Sequence, residues 1–329
     1  MKKTPIVVIG GTGASLVLQG LRSYPVQLTA IISTADSGGG SGQLREELGI
    51  IPVGDLRKCL LALGDFSPEE KNLWNYRFTE GSLRGQGMGN LILAGLIKQN
   101  INLKKALAQM AKIWKLGLHK ILPITKNPTT LCAQYADKTI VCGEHLIDEP
   151  EKLRGEITKA YLKDELALHP AAAQAILRAK LIVFAPGDLY TNTIIPLLTK
   201  NGPEIFRRAK APIVLVAPLM TSRGETDGFT LSRLVSKLEE YLFPKKIDII
   251  ITNTEPIPPL LLQRYRALEE IPLTIDFEQL PKNKKIIKAP LLNHGKIKKV
   301  KGDALRRSLL QHDPQKLARC VMKVIQVLS

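Results

Sequence analysis

The chain has 329 residues, 44% of them hydrophobic and 23% charged, with a net charge of +17, which leaves room for a large core in an ordinary globular composition. Aromatic residues make up only 5%, which argues against a base-stacking surface for single-stranded nucleic acid. No stretch approaches the ~18 apolar residues of a membrane span, and the apolar run after Met1-Lys2-Lys3 stops at Ile9, too short for a signal peptide.

Ile6-Val7-Val8-Ile9 reads as a first strand and runs into Gly10-Gly11-Thr12-Gly13. Ala14, Val17, Leu18 and Leu21 then recur at helical spacing. Leu28 to Ser33 reads as a second strand, followed by Thr34-Ala35-Asp36-Ser37-Gly38-Gly39-Gly40-Ser41-Gly42. This is a βαβ unit with a glycine-rich loop at each carboxyl strand end. Such loops let backbone N–H groups approach an anion, and a following helix N-terminus adds partial positive charge. The unit predicts a phosphate or nucleotide cradle. It matches neither G-x-G-x-x-G nor the P-loop pattern, and no acidic residue sits at the tip of the second strand to grip a ribose.

Gly54-Asp55-Leu56-Arg57 opens a helix to about Gly64, with Asp55 either its cap or a ligand residue and Arg57 either a surface charge or a ligand residue. Gly85-Gln86-Gly87-Met88-Gly89-Asn90 opens an apolar helix, Leu91 to Ile97. The stripe Leu103, Ala106, Leu107, Met110, Ile113 and Trp114 reads as core packing. Residues 121–165 read as a strand-rich insertion. Further apolar runs at 181–185, 213–217 and 247–252 fit buried parallel strands, and their loops include Pro186 to Asn192 and Asn253. Asp36, Asp55 and Asp188, if brought together, suit a hard cation such as Mg²⁺.

From Lys282 to Ser329 there are thirteen Lys or Arg against two Asp. A solvated basic face explains this, with an anionic partner as the alternative. A final helix starts at Asp313-Pro314, where Leu317, Val321, Val324 and Leu328 share a face. Cys59, Cys132, Cys142 and Cys320 form no C-x-x-C pair and are expected to be reduced thiols of a cytoplasmic protein. The five histidines form no H-E-x-x-H, there is no G-x-S-x-G, and nothing names a nucleophile. The whole chain, 1–329, is expected to form one α/β domain.

In this order the clusters resemble the CofD-like family, which includes 2-phospho-L-lactate transferases and bacterial gluconeogenesis factors, with the match closer to the second branch. The motifs are G-G-T-G at 10–13, T-A-D-S-G-G-G-S-G-Q-L-R-E-E-L-G-I at 34–50 and P-x-G-D-L-R at 52–57. They continue with Y-R-F at 76–78, G-x-G-N-L at 87–91, A-P-G-D-L-Y-T at 185–191 and M-T-x-x-G-E-T-D-G-F at 220–229. The resemblance implies a Rossmann-like three-layer α/β fold with a mostly parallel sheet. It implies a cytoplasmic protein that binds a UDP-sugar and supports cell shape and wall synthesis on gluconeogenic carbon sources, with no established reaction or cofactor. The other branch implies a Mg²⁺-dependent phosphoester transferase using a guanylated donor.

Carried over by motif, with neighbouring polar positions added, the expected ligand residues are Gly10, Gly11, Thr12, Gly13, Asp36, Ser37, Asp55, Arg57, Asn90, Asp188, Tyr190, Thr191 and Asn253; none is assigned to a resident metal. The sequence leaves the oligomeric state open, a homo-oligomer included. The chain departs from the family pattern at Ser37, where a second aspartate is usual, at Arg223 and at Gln311. Ser37 predicts nucleotide binding with little dependence on Mg²⁺.

Overall fold

In a computed structural model, residues 3–100, 102–295 and 308–328 are described. The strands are β1 (Thr4–Ile9), β2 (Val26–Ile32), β3 (Lys120–Pro123), β4 (Leu131–Tyr135), β5 (Ile140–Cys142), β6 (Ile157–Leu162), β7 (Leu181–Phe184), β8 (Ile213–Val216), β9 (Ile249–Asn253) and β10 (Lys285–Ala289). The helices are α1 (Thr12–Leu21), α2 (Gly39–Leu48), α3 (Gly54–Leu63), α4 (Pro68–Asn75), α5 (Met88–Gln99), α6 (Leu103–Ile113), α7 (Glu144–Asp148), α8 (Pro170–Arg178), α9 (Gly202–Arg208), α10 (Leu231–Leu242), α11 (Pro259–Arg266) and α12 (Pro314–Leu328).

Seven strands form a parallel sheet in the order β10-β9-β8-β7-β1-β2-β3. The fold is the expected α/β, Rossmann-like one. Along β1, Ile6 and Val8 enter the core under α1, α3 and α12, while Val7 and Ile9 enter the core under α8 and α10. Both faces are covered, which is why these strands read as unbroken apolar runs. The chain builds outward from β1 through β2 to β3, then returns to place β7 on the other side of β1. That reversal opens a crevice at the carboxyl ends of β1 and β7, the ligand position of open α/β sheets.

The insertion is partly as expected. β4, β5 and β6 form a separate antiparallel sheet in the order β5-β4-β6, whereas β3 belongs to the main sheet beside β2. The cysteine expectation is corrected here. The β4–β5 register sets Cys132 directly opposite Cys142, and the two form a disulfide, while Cys59 and Cys320 are free and buried. Trp114 is core, as its helical spacing predicts: it stacks on Phe66 at 5.9 Å and meets Trp74 edge-on at 4.6 Å. Among the described residues no helix is long and apolar enough to cross a membrane.

Part of the basic C-terminal region, Lys296, Lys298, Lys299, Lys301, Arg306 and Arg307, lies outside the described residues. Elsewhere in it two cations have structural partners among the acids of the fold. Lys284 is buried, pairs with Glu239 and donates to the Ile247 carbonyl, and Lys316 pairs with Glu255 at 3.2 Å. Asp313 caps α12 by accepting from the Lys316 N–H at 2.8 Å.

α12 reaches the sheet only because α1 is notched for it. A methyl at Gly20 would overlap the Pro314 carbonyl. Gly20→Ala should therefore lower stability by about 1–3 kcal/mol through forced displacement, instead of the ~1 kcal/mol gain expected of Gly→Ala in an exposed helix. Denaturant unfolding would check this, and a gain would show that α1 and α12 do not press together there.

Candidate ligand-binding site

The crevice holds a cavity of about 340 Å³. The loops after β1 (Gly11, Thr12, Gly13), β2 (Ser33, Asp36, Gly38), β7 (Pro186, Gly187, Asp188, Thr191, Asn192) and β8 (Pro218 to Ser222) form its lining, together with Asp55, Lys58 and α7. Tyr265, Leu268 and residues 308–312 close the far side. The two loops at the switch point touch, since a side chain at Gly13 would overlap the Pro186 carbonyl. Glycine is required there by this close approach, and Gly10 is required by its φ of +144°.

No side chain caps α1, whose first turn borders the cavity. Lys58, from α3, reaches over to donate to the Thr12 hydroxyl and to Asp55 at 3.2 Å. An open helix N-terminus with an ammonium beside it suits a phosphate.

Seven carboxylates line the same cavity: Asp36, Asp55, Glu144, Asp148, Glu149, Asp188 and Glu270. Burial and neighbouring charge disfavour ionisation of two of them. Burial, then the Asp55 charge, raises Asp36 above the usual carboxylate range. Burial, then Asp36 and Asp148, raises Glu144 well above it. Behind the β7 loop, Glu225 is likewise raised well above it, by burial and then by Asp188 and Asp148.

Glu225 holds the β7 loop in shape. It accepts from the Tyr190 N–H at 2.8 Å and from the Thr191 hydroxyl at 2.7 Å. Ser222 donates to Asp188. Asp148, Asp188 and Glu225 each offer an oxygen within 4.8 Å of the others. This donor set fits a hard divalent cation: it is all oxygen, and Asp188 and Asp148 add like charge beside the buried Glu225 carboxyl that a dication would offset. It differs from the expected trio: Asp36, Asp55 and Asp188 line the same cavity, but it is Asp148 and Glu225 whose oxygens lie within 4.8 Å of Asp188.

Among the expected residues, Gly11, Thr12, Gly13, Asp36, Asp55, Asp188 and Thr191 line the cavity. Gly10 sits just behind it. Ser37 does not face it, but its hydroxyl accepts from the His145 N–H at 3.0 Å and its N–H donates to Glu144, fixing α7. Arg57 and Asn90 line a smaller recess next door. Tyr190 points into the core and donates to the Ile157 carbonyl. Asn253 shapes its own loop, accepting from the Leu291 N–H at 2.9 Å.

Sequence reasoning missed Lys58, Glu144, Asp148 and the role of Glu225, whereas the Asn192 amide belongs to a loop that reads from sequence as able to hydrogen-bond a phosphate or sugar. Glu225 lies in a quoted motif that assigns it no role; Glu144 and Asp148 come from the insertion and carry no local signal.

The comparisons agree with this architecture. The family described as 2-phospho-L-lactate transferase CofD matches residues 6–292. A protein of Bacillus subtilis called gluconeogenesis factor is 33% identical over 332 residues, covering 99% of this chain and 100% of the relative. One of the same name from Halalkalibacterium halodurans is 36% identical over 284 residues, covering 85% and 87%. The crystal structure of a UPF0052 family member from Bacillus halodurans superposes with a TM-score of 0.88 at 31% identity, covering 98% of this chain and 99% of that one. The chain belongs to the CofD family.

A methyl at Gly11 would overlap the Asn192 amide and approach Asp55 at 2.9 Å. Gly11→Ala should therefore reduce nucleotide affinity by roughly tenfold, about 1.4 kcal/mol, with little change in melting temperature. Unchanged affinity by calorimetry would remove this turn from the binding site.

Proposed function

We propose that this CofD-family protein binds a nucleotide sugar as its divalent-cation complex and acts as a cytoplasmic, ligand-responsive regulator of the gluconeogenesis-factor kind, serving cell shape and wall synthesis. The observation that carries the reading is the uncapped first turn of α1, with Lys58 beside it, in a cavity whose other charged lining groups are seven carboxylates. The helix end and Lys58 take a diphosphate. The seven acids would repel it unless a cation such as Mg²⁺ came with it, and the Asp148–Asp188–Glu225 set is placed to hold one. The expectation of weak Mg²⁺ dependence, drawn from Ser37, gives way to this reading because carboxylates from α7 and the β8 loop replace the missing one.

The same carboxylate set favours a second reading, a phosphoester transferase that works by positioning and charge stabilisation. Mg²⁺-dependent transfer from a guanylated donor to an alcohol would establish it in place of the regulator. A thermal-shift series with UDP-sugars, GDP, GTP and NAD, with and without Mg²⁺, tests the main reading. A UDP-sugar with Mg²⁺ should stabilise by about 2.7 kcal/mol at ~100-fold its dissociation constant. No stabilisation by any of these ligands would overturn it.

The cation makes a further demand on pH. A carboxyl raised in the folded state, as Glu225 and Glu144 are, stabilises in its protonated form, and that contribution is lost as pH rises through its folded value. A dication needs the deprotonated form. Mg²⁺-dependent affinity should therefore rise with pH above the usual carboxylate range, and Asp188→Asn should weaken it by roughly tenfold, about 1.4 kcal/mol, with little loss of stability. Affinity that falls with rising pH would place the cation elsewhere.

A further inference from the structure

The seven strands of the main sheet are parallel, so the segments that enter them gather at the end opposite the crevice. These are residue 3 and residues 22–25, 114–119, 179–180, 209–212, 243–248 and 280–284. Together they carry nine Lys or Arg against one carboxylate, Asp248, which already accepts from the Ile213 N–H at 2.7 Å. The sheet therefore separates charge, with the carboxylates of the cavity at one end and lysines at the other.

Neighbouring segments meet across this end. The Lys180 N–H donates to the Pro5 carbonyl at 2.9 Å, Lys245 to the Ala209 carbonyl at 3.1 Å and the Gln27 amide to the Leu118 carbonyl at 3.2 Å. Burial, and then the charges of Lys3 and Arg22, hold the His119 imidazole below its ordinary value, so cations of two segments reach a third. Some of the charge is paired: Arg22 with Asp65 at 3.8 Å, and Lys246 and Lys284 with Glu239. Lys3, Lys115, Lys180, Lys210 and Lys282 are exposed and form no ion pair among the described residues.

Helix carboxyl ends favour lysine, which accounts for part of this charge. It does not account for the apolar side chains set among the lysines. Leu118 is 56% exposed and Phe243 74%, and Ile113, the last residue of α6, is 48% exposed. Five strand intervals, ~24 Å in all, separate β3, which follows Leu118, from β9, which follows Phe243. An anionic bilayer satisfies both features, because its headgroups attract lysines and its interface takes up apolar side chains. A nucleic-acid backbone offers the charge without the apolar layer. We infer that the amino end of the sheet docks this protein on an anionic lipid surface, with Leu118 and Phe243 entering the interface and the crevice facing away from it.

Co-flotation of the full chain with lipid vesicles tests this. Vesicles of phosphatidylglycerol mixed with phosphatidylcholine should bind it at least about tenfold more tightly than phosphatidylcholine alone. Added salt should erase most of that preference, as the screening length falls from ~10 Å at 0.1 M to ~3 Å at 1 M. Lys180→Glu and Lys210→Glu should each weaken binding by about threefold or more, and Leu118→Ser and Phe243→Ser by about fivefold or more, with melting temperatures unchanged. Lys152→Glu, an equal charge change at an exposed residue of the insertion, should have no effect. Equal affinity for the two kinds of vesicle, or binding to neither, would overturn the inference. An equal loss in Lys152→Glu and Lys180→Glu would overturn it too, because net charge alone would then be acting. Tighter binding to duplex DNA that Phe243→Ser leaves unchanged would assign this end to nucleic acid instead.

Discussion

The parallel pairing of β7 with β1 governs the layout of the molecule, because it brings two loops 175 residues apart in sequence into contact at one point. Val8 pairs with Val183, and the turns that follow meet where Gly13 packs on the Pro186 carbonyl. Only glycine permits that approach, and only the reversal of strand order leaves a crevice there for a ligand. The other parts of the site attach to this pair. Asp55 and Lys58 come over from α3 to the first turn of α1, and Ser37 after β2 fixes α7 on the opposite wall. Displacing the β1–β7 contact would scatter all of them.

Charge is distributed against the net balance of the chain. A protein of +17 presents its ligand with a cavity lined by seven carboxylates and one lysine, while two arginines stand in an adjoining recess. Much of the excess positive charge lies elsewhere, and the described part of the basic C-terminal region uses cations such as Lys284 and Lys316 in structural pairs. Net charge therefore says little about what this site binds. The local arrangement says more: an anion cradle and a cation site placed side by side fit a polyphosphate that travels with a metal ion.

The sequence revealed what is local. Apolar runs that end in polar, glycine or proline loops located β1, β2, β7, β8 and β9, because strands buried on both faces have no polar alternation to obscure them. The glycine turns at 10–13 and 187 were visible for the same local reason. β3, with its exposed Lys120, and β10, with exposed Lys285 and Lys288, were less legible because edge strands keep a polar side. Strand order is a non-local property, so the gathering of Asp148 and Glu225 beside Asp188 could not be read from spacing. Asp148 and Glu225, 77 residues apart, reach Asp188 only through the insertion and the β8 loop. The Cys132–Cys142 disulfide depends on a cross-strand register that composition does not encode. Arg57 shows the same limit: as a residue in a string it is a charge on a helix, and only α5 packed over it makes it a buried wall.

A crystal structure of the complex with UDP-glucose and Mn²⁺, with the metal located by its anomalous scattering, tests the central claim most directly. The diphosphate should lie over Gly11, Thr12 and Gly13 within hydrogen-bond reach of Lys58. The metal should sit about 2.1–2.2 Å from oxygens of Asp188 and at least one of Asp148 and Glu225, close to the ~2.0–2.1 Å of Mg²⁺. A diphosphate bound away from the α1 turn, or a metal-free diphosphate among the carboxylates, would contradict the account.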